Sequence, residues 1–487
     1  MIGQDQNGSP TPLRKALTPE LYNLGCGGLT YASFTVVKVL TTTALIHVYT
    51  KYFSPEDMGL VTICQTVTGI AALLMSLGIP LAHPKLFYQE PTEDGRRRVT
   101  LSMALLVTFF TAVACMLCEV IGPFITNVAI SGLRFEPLLR FALWTGGAQA
   151  ISSVPISLFR VRHQAFLSSG LLISQIVVQV CVVFLVLSHG VGLLGFVRAV
   201  FHVEAVFCVL YCGLLLAYTG SHCNAAAFGQ ILTYGLSMLP TMLAFWAMSL
   251  FDRFLLQDSV SLHLLGLYSV GSQIGGALNM LASSLNLAWA PYCQEKLVDE
   301  GGPLLVSQLI GWGIPCLFWL GLGMSIFAPE LVILLANPTY IGAWPTVVLT
   351  AQAATLYGIY YLVSPFLFKN GNVVKSQPII AVVAAAAHIV LDVLLLSTWG
   401  IIGAAWISIV SKGILLTGVS WVAARFCGFV FPWRSFVASV IGFLVLFFLS
   451  TLLNGVPLGI ARVLGKLAVL TFPLIALFFL RRKRCSK

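Results

Sequence analysis

The sequence predicts an all-α integral membrane protein of about 14 transmembrane helices, arranged as two pseudo-symmetric six-helix lobes around a central cavity plus two C-terminal helices. Three observations predict it. Of 487 residues, 58% are hydrophobic and only 9% are charged, whereas a soluble domain carries about 25% charged residues. The apolar residues fall into segments of about 20, the length that spans a bilayer as a helix. The chain also repeats itself. Gly59-Leu60 matches Gly266-Leu267 and Gly69 matches Gly276 at an offset of 207, and Gly192 and Gly195 match Gly400 and Gly403 at 208. An offset of six helices leaves both halves in the same orientation, a parallel repeat suited to alternating access.

The expected spans are 24–49, 60–80, 99–121, 137–159, 166–188, 193–218, 230–256, 262–290, 304–328, 342–367, 376–398, 400–425, 435–453 and 459–480. They group into a polar tail (1–20), an N-lobe (21–220), a C-lobe (229–426), two helices outside the duplication (433–480) and a basic tail (481–487). The first 20 residues have no cleavable-looking apolar core, so the first span is expected to serve as the targeting signal. Basic residues set the orientation. Lys85, Arg96, Arg97, Arg98, Arg160, Arg162, Lys296, Lys369, Lys375, Arg425 and Arg434 collect on one side, and little beyond Lys51, Arg134 and Arg462 lies on the other. The positive-inside rule then puts both termini in the cytoplasm. It also accounts for the net charge of +10 without nucleic acid. Most of the 12 cysteines lie in apolar segments, so no metal or redox site is expected from them.

Charges inside a bilayer are costly, roughly 2.5–3.5 kcal/mol each at a helix centre, so each marks a candidate site. Lys38 lies mid-span, followed by Thr41, Thr42 and Thr43. It either lines a cavity or joins a buried pair. Arg140 opens the fourth span, where snorkelling is the alternative to function. Arg198 and His202 share a helix face, with Glu204 beside them. Asp252 and Arg253 end the seventh span. His388 and Asp392 share a face of the eleventh, and Lys412 lies in the twelfth. At an offset of 208 Glu204 falls on Lys412, opposite charges at matching places. Lys38, Arg140, Arg198 and Lys412 are the candidates for holding an anionic substrate, since cationic side chains grip phosphate. His202, Glu204, Asp252, Arg253, His388 and Asp392 are candidates for gating or ion coupling. Neutral sugar hydroxyls would use Asn, Gln, Trp and Tyr instead.

Several stretches carry a family resemblance. Leu239-Pro240, Asp252-Arg253, Gly266-Leu267-Tyr268-Ser269 and Trp289-Ala290-Pro291 follow one another in order. Trp399-Gly400-Ile401-Ile402-Gly403-Ala404-Ala405 forms a second stretch, and the basic-aromatic loop from Lys85 to Arg98 a third. Over about residues 20–425 the chain resembles the Wzx-like polysaccharide and O-antigen flippases of the multidrug/oligosaccharidyl-lipid/polysaccharide exporter superfamily. Asp392 stands where that family commonly has Asn.

The resemblance implies a V-shaped cavity between rocking lobes and a substrate of oligosaccharide on polyprenyl pyrophosphate. It implies a multi-pass protein of the bacterial inner membrane, exporting O-antigen, capsule or exopolysaccharide units alongside a polymerase and a chain-length regulator. A lipid II flippase or a cation-coupled drug antiporter of the same superfamily is the alternative. The basic bias of the deep positions disfavours the antiporter. No HExxH, GxxxxGK[ST] or GxSxG motif and no large loop is present, so a membrane-embedded polymerase is disfavoured and neither enzyme activity nor a cofactor is expected.

Overall fold

The computed structural model describes residues 37, 41, 43–129, 135–162, 164–220, 223–369, 371–452 and 461–471. Their regular elements are all helical. In the first half they are α1 (43–52), α2 (Pro55–Ser76), α3 (Ile79–Gln89), α4 (Glu93–Ala129), α5 (Arg140–Val161), α6 (Ala165–Ser188) and α7 (Gly192–Thr219). The second half contains α8 (Phe228–Trp246), α9 (Asp252–Ser259), α10 (Leu262–Lys296), α11 (Gly302–Ile326), α12 (Ala328–Leu335), α13 (Trp344–Val363), α14 (Gly371–Val374) and α15 (Ser376–Cys427). Two further helices follow, α16 (Trp433–Leu452) and α17 (461–471).

Among the described residues, nine helical stretches are long and apolar enough to cross a membrane. One of them, α15, is two helices joined at Gly400, whose φ of 55° favours glycine. The helices α5 and α10 are long enough but too polar to be counted. Dividing α15 and adding those two gives twelve helices for twelve of the expected spans. The first span falls largely outside the described residues, and half of the last does. The polarity of α5 and α10 reflects their position, because both pack inside the bundle. By contrast α16 buries only Ser450 and shows its apolar face to lipid.

Two helices start alike. Ser54 caps α2, accepting a hydrogen bond from the Asp57 N–H while the Asp57 carboxylate accepts one from the Ser54 N–H. Ser261 caps α10 by accepting from the Leu264 N–H. Just inside these caps α2 and α10 cross. A β-carbon on Gly59 would overlap the Leu262 carbonyl oxygen, and one on Gly266 would overlap that of Pro55. The contacts are reciprocal at the repeat offset, since Leu262 and Gly266 correspond to Pro55 and Gly59. Glu56 also meets its own counterpart there, with His263 Nδ1 2.9 Å from its carboxylate. The structure thus has a local two-fold relation between the halves at this crossing.

Packing divides the bundle along its length. At the crossing end a single apolar core is shared by both halves, joining Tyr49, Val61 and Ile63 to Leu265, Tyr268 and Tyr340. The Tyr340 hydroxyl donates to the Phe53 carbonyl across the same junction, at 2.9 Å. Toward the basic end the cores separate. One contains Met75, Met103 and Leu158 of the first half with Ile231 of α8, and another lies wholly in the second half around Ile310, Ile359 and Leu415. Contact between halves at this end runs through α3 and α8, where Lys85 Nζ lies 4.1 Å from the centre of the Tyr234 ring.

Candidate functional site

The predicted charged residues that the described structure buries fall into two groups, one in each half. In the second half α8 does not stop at Asp252-Arg253. It passes through one wide turn (Ala247–Phe251) and continues as α9 to Ser259. The pair therefore sits within the helix and faces inward, with Asp252 only 2% exposed. Arg253 Nη1 is 3.1 Å from Asp252 Oδ1, and its Nη2 donates to Ser272 Oγ on α10 at 2.9 Å. The Tyr268 hydroxyl, also from α10, donates to Asp252 Oδ2. These bonds tie α9 to α10 within one half, and Tyr268 belongs in turn to the core that both halves share.

The two parts of α15 complete this group. His388 Nδ1 is 3.0 Å from Ser411 Oγ, and His388 Nε2 is 3.3 Å from Asp392 Oδ2. Both side chains are fully buried. The second contact is close enough for an ion pair but not aligned for a hydrogen bond, which leaves both Asp392 oxygens and His388 Nε2 without a hydrogen-bond partner. Lys412 lies within electrostatic range of Asp252 and Arg253, and His388 and Asp392 also feel Asp252. Four helical segments thus converge on two carboxylates, one imidazole and two cations. Buried polar atoms are nearly always paired, and a group left short of donors can bind a proton or small cation.

The group in the first half is complete. Glu204 on α7 is 7% exposed. Its two oxygens accept from Gln149 Nε2 at 3.1 Å and Gln175 Nε2 at 2.8 Å, and Gln175 Oε1 accepts from the Tyr211 hydroxyl. His202 does not join it. Its Nδ1 lies 2.6 Å from the Arg198 carbonyl, and its ring is exposed against Phe201.

The remaining predicted residues are dispersed. Arg140 is held by Glu119 at 3.0 Å and Glu136 at 3.1 Å, and Trp144 Nε1 donates to the same Glu119. Arg198 is exposed, its guanidinium 5.5 Å from the centre of the Phe141 ring. Neither meets Lys412 or the Asp252 group. Lys38 lies outside the described residues.

A polar stripe runs along one face of α10. Ser272, Asn279 and Asn286 recur every seven residues, so they share a face. The Asn279 and Asn286 side-chain oxygens are buried without a partner, and a β-carbon on Gly276 would meet nothing within 4 Å. On α8, Thr241 Oγ1 and Trp246 Nε1 are also unpaired. Among the described residues, no group of three His, Cys, Asp or Glu is arranged to hold a metal.

Reading the sequence alone misses Tyr268 and Gln149 as partners of the buried acids, and misses the Glu56–His263 pair. The first two lie 16 and 55 residues from their carboxylates with no local signal. The third had one, since Glu56 and His263 are repeat equivalents of complementary charge.

Residues 28–296, more than half of the chain, match the family model described as polysaccharide biosynthesis protein. The chain belongs to this family. A protein of the Lsg locus of Haemophilus influenzae is 26% identical over 158 residues, a stretch covering 32% of this chain and 39% of that relative. The aligned part thus spans well under half the length of the curated relative. Among solved structures, this member of the polysaccharide biosynthesis family is similar in fold to lipid II flippase MurJ in an inward closed conformation. The TM-score is 0.72 at 12% identity, covering 93% of this chain and 99% of that one. An inward-facing multidrug-resistance MATE transporter of the MOP superfamily gives 0.60 at 13% identity, over 82% and 98%. The family member thus has the helical membrane fold of those transporters.

Proposed function

We propose that this protein is a flippase of the bacterial inner membrane, with both termini cytoplasmic, that carries a polyprenyl-pyrophosphate-linked oligosaccharide to the periplasmic leaflet. Family membership supports the polysaccharide assignment. The observation that carries the transport reading is the division of the packing, one shared core and a reciprocal helix crossing at one end and separate cores toward the other. Two halves built this way rock so that the crossing closes one side of the membrane and parts to open it. On this reading the crossing is the closed periplasmic side, and the headgroup enters from the basic side.

Within the cavity Lys38 and Lys412 meet the pyrophosphate, and the Ser272–Asn279–Asn286 face of α10 meets the sugar hydroxyls. Arg140, already neutralised by two carboxylates, and the exposed Arg198 act at the rim. The polyprenyl tail stays in lipid. Asp252, Asp392 and His388 exchange a proton or cation as the halves rock, with Arg253 anchoring Asp252. Glu204, with both oxygens paired, braces the first half instead, and the exposed His202 takes no part in that coupling. The units so delivered are those of O-antigen, capsule or exopolysaccharide, consumed by a polymerase with its chain-length regulator.

Deletion of the gene tests this reading. Surface polysaccharide is expected to disappear while lipid-linked units accumulate facing the cytoplasm. Units accumulating on the outer leaflet would identify a polymerase instead and sink the proposal. The fold likeness to lipid II flippase favours a second reading, with lipid II as cargo. Rescue of a lipid II flippase deficiency by this chain would select it.

A further inference from the structure

A polar cavity of about 460 Å³ opens at the basic end of the first half, away from the space between halves. Asp94, Arg97 and Arg98 line it from α4, and Tyr218, Thr219 and Gly220 from the end of α7. Two guanidiniums converge on one ring there. Arg162, at the end of α5, lies 4.3 Å from the centre of the Tyr218 ring, and Arg97 lies 5.3 Å from it. The ring is fixed in turn, because its hydroxyl donates to Glu93 Oε1 at 2.9 Å. The acids of this corner are already engaged. Glu93 also faces Arg96 at 3.8 Å, and Asp94 faces Arg98 at 3.4 Å. Among the described residues, no carboxylate pairs with Arg97 or Arg162.

We infer that this cavity binds the phosphate headgroup of an anionic phospholipid from the leaflet at the basic face. Arginine held by an aromatic face keeps its planar fork free for bidentate contact with phosphate. Basic pockets between transmembrane helices at the cytoplasmic surface bind such headgroups. The site is anchored as well as charged. Asn224, just beyond α7, donates its N–H to Ser102 Oγ at 2.8 Å, pinning the connection to α4. A lipid fits better than free phosphate because the same two helices continue as an exposed apolar wall. Leu105 and Phe109 on α4 are 45% and 62% exposed, and Leu216 on α7 is 53% exposed. The inference does not depend on what the central cavity carries.

The test is native mass spectrometry of the purified full chain titrated with phosphatidylglycerol or phosphatidylcholine. The wild type is expected to retain phosphatidylglycerol preferentially. Arg97→Gln with Arg162→Gln should weaken that retention about tenfold or more. Arg425→Gln with Arg434→Gln, an exposed basic pair on the second half, should leave it unchanged. If the first double variant fails to fold, Tyr218→Leu replaces it and should show the same loss. Equal losses from both double variants would reduce the site to general surface charge and overturn the inference. Displacement of the lipid by millimolar inorganic phosphate would overturn the lipid assignment.

Discussion

Glu204 and Lys412 occupy matching places in the two halves, and their surroundings differ in kind. Around Glu204 each carboxylate oxygen takes one amide hydrogen, and the network closes at Tyr211. Around Lys412 the neighbouring group has two carboxylates, and both oxygens of Asp392 lack a hydrogen-bond partner. A satisfied buried network fixes helices, whereas an unsatisfied one stores a preference for a proton, an ion or a changed neighbour. On the proposed reading, the first half uses its matching place for rigidity and the second for exchange.

Substitutions can break that contrast, starting with the largest effect. Asp252→Ala leaves Arg253 and the Tyr268 hydroxyl without their carboxylate in a buried site, a cost of about 3–5 kcal/mol. Little folded protein should survive in a fluorescence size-exclusion assay. Asp392→Asn should separate stability from transport. Its fold should persist, because no hydrogen bond is lost, while polysaccharide export falls about tenfold or more, equivalent to about 1.4 kcal/mol. The matched substitution Glu204→Gln should keep export near wild type. Equal export defects in the two variants would erase the proposed division between halves.

Tyr268→Phe removes one hydrogen bond to a charged acceptor and should cost about 1.5–3 kcal/mol of stability, read as a lowered Tm. Outside both groups, Glu330 accepts Lys466 Nζ at 2.8 Å and lies 3.0 Å from Arg462 Nε, holding α17 to α12. Glu330→Gln should lower the Tm with export per folded molecule unchanged. His263→Gln sits at the exposed end of the scale and should leave the Tm within error, because solvent-exposed pairs contribute little.

Much of the fold could be read from the chain. Helix spans follow from apolar length, the break in α15 from Gly400, and the repeat from glycines that later prove to be the crossing itself. The Asp252-Arg253 pair shows why the site was harder. Two charges after an apolar run look like a helix end at the membrane surface. In the structure the helix continues and the charges are buried, because Tyr268 and Ser272 of the next helix meet them. Partners such as Gln149 for Glu204 come from other helices, and apolar periodicity carries no record of them. Arg140 is a further case. Its charge marked it as a substrate ligand or a snorkelling side chain, and the sequence carries no sign that Glu119 and Glu136 pair with it.

In the proposed cycle the halves part at the crossing of α2 and α10 as they rock. That parting is tested most directly by replacing Glu56→Cys and His263→Cys together, in a chain whose native cysteines are substituted, and joining the two with a short reducible thiol cross-linker. The linked protein is expected to stop translocating lipid-linked oligosaccharide in vesicles, and reductant is expected to restore it. Translocation at the unlinked rate while the cross-link is intact would contradict the proposed cycle.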